Sequence, residues 1–307
     1  MTLRVQQTGP MALVVDGGRV GVRHLGVTQG GAMDWVSLGW ANWLLGNAHD
    51  AAGIEILVGG LELVAEADMT LALGGADLAA TLDGQAVAPD TRFAIRRGQR
   101  LAFHRPQAGL RAYLAVPGGI DATPLMGSVS STLREGLGGL DGFGKALAKG
   151  DVIKAAASHA GEAPTAAVPA RRPDTAQPVT LEVVIGAQVA AFDGRSLYRA
   201  FHDTWTVDQR ADRMGIRLTG PELGCELKGI VSEGIPLGAV QVPPDGQPII
   251  LMNDRQTIGG YPRLGALSPL ACARLAQCLP GTEVRLVPTT PERARRGLCD
   301  RLAGWRR

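Results

Sequence analysis

The chain has 307 residues, 45% hydrophobic and 20% charged, and no apolar run approaches the roughly 18 residues needed for a membrane span. These values exclude a disordered chain and a helical membrane protein, and they leave one or two sizeable cores. Thirty-one Lys and Arg against 29 Asp and Glu give a net charge of +2, too little for bulk electrostatics to select nucleic acid as a partner.

The 42 glycines lack a collagen period, so the backbone needs many tight turns, which favours an all-β chain. Met1 to Gln7 runs straight into strand-like alternation, without the basic segment and apolar run of an export signal. Cys225, Cys272, Cys278 and Cys299 show no CxxC spacing, and reduced thiols in the cytoplasm are the expectation. The five histidines, at 24, 49, 104, 159 and 202, do not pair at metal-ligand spacing, so no metal site is expected.

A first helix is expected after Asp34 as its cap, with Val36, Trp40, Trp43 and Leu44 at helical steps and Gly46-Asn47 as its stop. Short apolar segments follow: Ile54–Val58, Leu61–Val64, Met69–Leu73, Leu78–Leu82, Phe93–Ile95, Leu101–His104 and Arg111–Val116. Glycine pairs break them, and Asp83-Gly84 is a two-residue hairpin signal, so this stretch reads as strands of a sandwich or barrel. Residues 1–154 form the expected N-terminal β lobe, and the Ala/Pro-rich stretch 155–178 a linker. A second, mainly β lobe spans 179–290 and contains a helix opened by Ser268-Pro269 and ending before Pro280-Gly281. Residues 291–307 form a basic tail, read as a solvated helix face. Glycine opens three strand starts alike, at Gly98, Gly150 and Gly281, a likeness that turn chemistry alone explains.

Gly139 to Lys145 has the G-x-x-x-x-G-K spacing of a phosphate-binding loop, but Ala146 replaces the hydroxyl residue that would hold Mg²⁺. Neither a G-x-S-x-G elbow nor an H-E-x-x-H helix is present. What remains are three glycine-flanked polar clusters: Val15–Gly21 with His24–Asp34; Gly118–Asp121 with Met126–Ser131 and Gly136–Gly139; and Asp212–Leu218 with Ser232–Pro248 and Leu251–Pro262. Glycine lets backbone approach a ligand, and Asn, Gln, Arg and Tyr supply directional hydrogen bonds to an amide or carboxylate. Hairpin glycines with polar side chains satisfying loop backbone would produce the same composition.

In this order the clusters resemble the biotin-dependent carboxyltransferase and allophanate-hydrolase subunit 2 family, in its branch of 5-oxoprolinase C subunits. The resemblance rests on Asp16-Gly-Gly-Arg19, Gly31-Ala-Met-Asp34, Ala41-Asn42 with Gly46-Asn47, Tyr113–Val116 with Gly118–Asp121, Asp212–Leu218, and Gln241–Pro262. It implies a mainly β fold of two cyclophilin-like β-barrel lobes with a few short helices. It also implies partners homologous to the B and A subunits of 5-oxoprolinase, and ATP-dependent opening of 5-oxo-L-proline to L-glutamate. ATP with Mg would be used by the complex, with no cofactor bound by this chain alone. The same resemblance leaves open the carboxyltransferase half of a biotin-dependent urea carboxylase, and a regulator that antagonises a histidine-kinase inhibitor.

For a lactam substrate, Arg213 would clamp a carboxylate or phosphoryl group, Gln241, Asn253, Gln256 and Thr257 would hold the amide edge, and Tyr261 would cover it. Glu233 and Asp254 are the candidate carboxylates for proton transfer or contact with Mg²⁺-nucleotide. Structural alternatives are an Asp212–Arg213 salt bridge and a turn shaped by Tyr261-Pro262. The chain departs from the family pattern at Val129, Ala211 and Ile258, where relatives commonly carry Arg, Ser and Thr.

Overall fold

A computed structural model describes residues 1–162 and 178–305 of the chain. The expected linker therefore lies largely outside the described residues; of its first part, Ala155, Ala156 and Ala157 donate backbone hydrogen bonds to Met1, Gly119 and Pro117. The chain divides into two compact units, and the division is not sequential. Residues 22–29 cluster with the C-terminal unit, although their neighbours on both sides belong to the N-terminal one.

In the N-terminal unit, strands occur where short apolar runs lie between turn residues. Five of them, Met11–Val15, Gly53–Leu57, Ala108–Ala115, Met69–Asp77 and Arg92–Ile95, form one antiparallel sheet in that order. A second sheet runs from Val152–Lys154 through Thr2–Gln7, Glu62–Ala65, Arg100–Ala102 and Thr81–Leu82 to Gln85–Ala86. Asp83 and Gly84 make the expected two-residue hairpin, both with positive φ (49° and 83°), the twist that matches two right-handed strands. Residues from both sheets, among them Leu3, Leu63, Leu101, Ile54, Leu71 and Leu114, share one buried apolar cluster.

Helix α1 (Trp35–Leu45) starts and stops where expected: the Asp34 carboxylate accepts from the N–H groups of Val36 and Ser37, and Gly46 closes the helix at φ 77°. It is buried on nearly every face instead of along one stripe. Ala41 and Leu45 pack on Ala72 and Ala115 of the five-stranded sheet, and Leu38 packs with Leu13 and Tyr113. Gly74 permits this approach, because a Cβ there would lie 2.4 Å from the Ser37 carbonyl oxygen.

Two carboxylates, the buried Glu55 and the half-buried Asp16, organise the loops of this unit. Glu55 Oε2 accepts from the Met33 N–H (2.8 Å) and the Tyr113 hydroxyl (2.7 Å), while that hydroxyl accepts from the Asp34 N–H (2.7 Å). Asp16 accepts from Ser128 Oγ, Ser130 Oγ and the backbone N–H groups of Gly18 and Val129. Arg19, wholly buried, donates to the Ser130 carbonyl at 2.7 Å. Three of the segments that carry the family resemblance, Asp16–Arg19, Gly31–Asp34 and the one containing Tyr113, thus serve as internal scaffolding.

In the C-terminal unit, α2 (Gly194–His202), α3 (Pro269–Leu275) and α4 (Pro291–Ala303) accompany a closed barrel. Among the described residues the barrel has seven strands, ordered Val179–Ile185, Arg263–Leu267, Ala239–Gln241, Ile249–Leu251, Gly215–Thr219, Trp205–Val207 and Glu283–Thr289. A parallel pairing of Val179–Val184 with Val284–Thr289 closes it. Burial alternates along its strands, with Leu181 and Val183, Ile216 and Leu218, and Val284 and Leu286 enclosed, as a barrel with a filled interior requires. The mainly β expectation holds, and residues Pro291–Ala303 of the basic tail form α4, which has no buried residue. Gly98, Gly150 and Gly281 all have positive φ immediately before strands, which accounts for their similar surroundings by turn geometry. No described helix is long and apolar enough to cross a membrane.

Tyr113→Phe should destabilise the protein by about 1–3 kcal/mol, because it strands the buried Asp34 N–H and removes a donor from Glu55. Burial, reinforced by the charges of Glu55 and Asp34, raises the Tyr113 hydroxyl well above its usual value of 10.0. A raised folded value gives stability that is present below the unfolded value and lost as pH climbs past it. Denaturant titrations at pH 8 and pH 11 should show wild type losing more stability on alkalinisation than Tyr113→Phe.

Candidate functional site

Most of the sequence-predicted site residues fall on three loops at barrel strand ends. Arg213 precedes the strand Gly215–Thr219, and the Asp212 carboxylate turns back to accept from the Met214 and Gly215 N–H groups instead of pairing with Arg213. Arg213 is bidentate to Asp254, Nε to Oδ2 at 2.8 Å and Nη2 to Oδ1 at 3.0 Å, with both residues buried. The Asp254 N–H also donates to the Arg213 carbonyl, so the pair fastens two loops together. Its guanidinium fork is directed at Asp254, which makes the pair a foundation for the neighbouring residues.

Asn253 is buried beside this pair in sequence. Gln241, on Ala239–Gln241, is also buried, and its amide nitrogen lies 3.0 Å from where a Cβ on Gly259 would stand. Glu233 and Gly234 pair with Ile258 and Gly259 in a small two-stranded ribbon. The Glu233 carboxylate accepts from Gln188 Nε2 at 2.8 Å and pairs with Arg263, yet 42% of its side-chain surface stays exposed, against 11% for Asp254. Tyr261 is 44% exposed, just beyond the ribbon.

Two residues outside the predicted set tie these loops to the segment 22–29. Arg23 Nη2 donates to the carbonyls of Ile235 (3.0 Å), Gln256 (2.9 Å) and Thr257 (3.1 Å). Arg255, buried to 2% exposure, donates to the same Ile235 carbonyl (3.2 Å), to the Met252 carbonyl (3.1 Å) and to Gln29 Oε1 (3.4 Å). Burial, and then the nearby Arg23 cation, push the Arg255 guanidinium down to about 10. Beside them opens a cleft of about 620 Å³, lined by Arg23, His24 and Gly26 on one side and by Gly234, Ile235, Pro236, Thr257 and Ile258 on the other.

Of the predicted residues Thr257 lines this cleft; Glu233 and Gln256 are chain neighbours of its walls, and Arg213, Gln241, Asn253, Asp254 and Tyr261 are not in its lining. His24 and Arg255 lie within the polar clusters noted in the sequence, whereas Arg23 falls just outside the first of them, and more than 200 residues separate it from its acceptors. No local pattern marks such a contact. The Gly139–Lys145 loop is no phosphate cradle: Lys145 Nζ pairs with Asp141 at 2.9 Å and lies over the Phe143 ring.

Residues 25–288 match the family model described as carboxyltransferase domain, subdomain A and B. The C subunit of Escherichia coli 5-oxoprolinase is 38% identical over 300 residues, covering 95% of this chain and 93% of the relative. Urea amidolyase of Saccharomyces cerevisiae is 28% identical over 297 residues, which cover 91% of this chain but 16% of that longer protein. Among solved structures, TTHA0988 superposes with a TM-score of 0.83 at 35% identity, covering 93% of this chain and 55% of that one. The K. lactis urea amidolyase superposes at 0.88 over 99% of this chain, which spans 20% of that chain; at 24% identity it shows the fold alone.

Arg213→Ala should cost about 3–5 kcal/mol by leaving the Asp254 carboxylate buried without its guanidinium. The double variant Arg213→Met/Asp254→Leu should recover most of that loss, as measured by urea unfolding.

Proposed function

The chain belongs to the carboxyltransferase domain family, subdomain A and B, and on that premise we propose that it is the C subunit of a multi-subunit 5-oxoprolinase. The observation that carries this reading is the nearly end-to-end match with a C subunit of 5-oxoprolinase, 95% of one chain against 93% of the other. The reaction would be ATP-dependent opening of 5-oxo-L-proline to L-glutamate, performed together with homologues of the A and B subunits. A lactam carbonyl is a poor electrophile. Transfer of the γ-phosphoryl group of ATP to its oxygen would release ADP and activate the carbon; one water would add and the carbon–nitrogen bond break to leave a γ-acyl phosphate, and a second water would release phosphate and the carboxylate.

This chain's part would be to hold and orient the ring. Thr257 and the loop carrying Gln256 flank the cleft, with Gln241 and Asn253 supporting from the barrel and Tyr261 available to cover an occupant. The buried Arg213–Asp254 pair fixes the loop that carries these groups. Glu233, the more exposed of the two candidate carboxylates, is the better placed to exchange a proton. Because the loop at Gly139–Lys145 does not fit a triphosphate, Mg²⁺-ATP is assigned to the partner subunits, and the chain alone should be inactive.

A second reading, the carboxyltransferase half of a biotin-dependent urea carboxylase, draws on the match to urea amidolyase. It would need a biotinylated carrier. Val129, which replaces the arginine common among relatives, is buried in the apolar core and presents no guanidinium.

Mixing the chain with its A and B homologues should yield 5-oxoproline-stimulated ATP hydrolysis and glutamate, with neither formed when any one of the three is omitted. Glu233→Gln should lower kcat about 10²-fold in that mixture. Urea carboxylation dependent on a biotinylated carrier would establish the second reading, and tight partner binding without turnover would point to a regulator.

A further inference from the structure

The cleft beside Arg23 has an electrostatic asymmetry. Its charged or titratable lining consists of Arg23 and His24, and no carboxylate belongs to it. Behind it lies the buried guanidinium of Arg255, which meets that of Arg23 on a single acceptor, the Ile235 carbonyl. Two guanidiniums drawn to one oxygen place concentrated positive charge at this wall, partly shielded from water, where electrostatic interactions gain strength. The remaining walls, Ile235, Pro236 and Ile258, are apolar, and Thr257 adds a hydroxyl. A volume of about 620 Å³ falls in the range of small-molecule sites.

From this arrangement we infer that the cleft is the seat of the substrate's carboxylate, with Arg23 and His24 turned to the anion, Arg255 reinforcing their field, and the apolar wall accepting the ring. The ligand class is a small cyclic monocarboxylate. Arg255 acts as a positioning residue, through Ile235 and Gln29, and Arg23 is contributed by the segment that leaves the N-terminal half to join the barrel unit. The identity of the carboxylate as 5-oxo-L-proline rests on the function proposed above; the anion preference of the cleft does not.

The test compares 5-oxo-L-proline with 2-pyrrolidone, the same lactam without its carboxylate, by calorimetric binding to the reconstituted complex, with kcat and KM measured alongside. Wild type should prefer 5-oxo-L-proline by about tenfold or more, the ratio expected for a charge-assisted contact. His24→Ala and Arg23→Ala should each remove most of that preference and raise KM more than they lower kcat. Arg23→Ala also withdraws hydrogen bonds from three loop carbonyls, so Arg23→Lys, which keeps the charge, should restore part of the preference; the exposed His24 provides a probe free of this complication. Lys145→Ala, which removes a cation in the other unit, should leave both affinities unchanged. An undiminished carboxylate preference in both His24→Ala and Arg23→Ala would overturn the inference while leaving the proposed function standing. A preference that both variants abolish, in a complex that never hydrolyses 5-oxo-L-proline, would retain the anion cleft and discard the proposed function.

Discussion

Three carbonyl oxygens, those of Ile235, Gln256 and Thr257, meet at one nitrogen of Arg23, and the arrangement of the barrel unit's loops follows from that meeting. Each carbonyl lies on a short connection between strands, where the backbone has left the ladder and needs a donor. The two N–H groups of that nitrogen are shared among the three acceptors, so one side chain holds two loops in register. Arg255 repeats the device from the opposite direction and shares the Ile235 acceptor. The charge concentrated by this solution is what gives the adjoining cleft its chemical character.

The N-terminal unit solves a similar problem with the opposite charge. Asp16 gathers two serine hydroxyls and two backbone N–H groups, and Glu55 gathers Tyr113 and the Met33 N–H at the start of α1. Carboxylates withdrawn from water are tolerated when their lone pairs are filled, and the buried Glu55 and half-buried Asp16 are both well supplied. Much of what makes the sequence resemble its family in this half is therefore hydrogen-bonding infrastructure. Recurrent polar residues flanked by glycine mark places where backbone must pass close to backbone as readily as places where it meets a ligand.

Taken with the family match, the geometry separates two tasks. The ion pair of Arg213 and Asp254 joins loops and is enclosed, while the Arg23 wall borders open space. A lactam with a carboxylate at one end and an amide at the other requires both an anion-binding wall and neutral hydrogen-bonding groups, and the loop Asn253–Tyr261 runs from the enclosed pair to the cleft. The one loop with phosphate-binding spacing leads into no helix, and its lysine pairs with Asp141. Under the proposed function, activation by ATP would fall to companion subunits and the part of this chain would be orientation.

Local sequence determined much of the secondary structure. Asp34 and Gly46 bracket α1, Ser268 and Pro269 open α3, Asp83-Gly84 turns a hairpin, and alternating apolar residues lay out the barrel strands, because caps, turns and pleat depend on residues a few positions apart. The polar clusters were legible as clusters for the same reason. Tertiary structure alone decided which charged groups meet: Arg213 with Asp254 rather than with adjacent Asp212, and Arg23 with carbonyls more than 200 residues away. It also decided that α1 would be enclosed on nearly all sides and that residues 22–29 would leave the half that encodes them. Such pairings arise from chain segments brought together by burial of apolar surface, and no periodicity or spacing along the chain encodes the partner that burial selects.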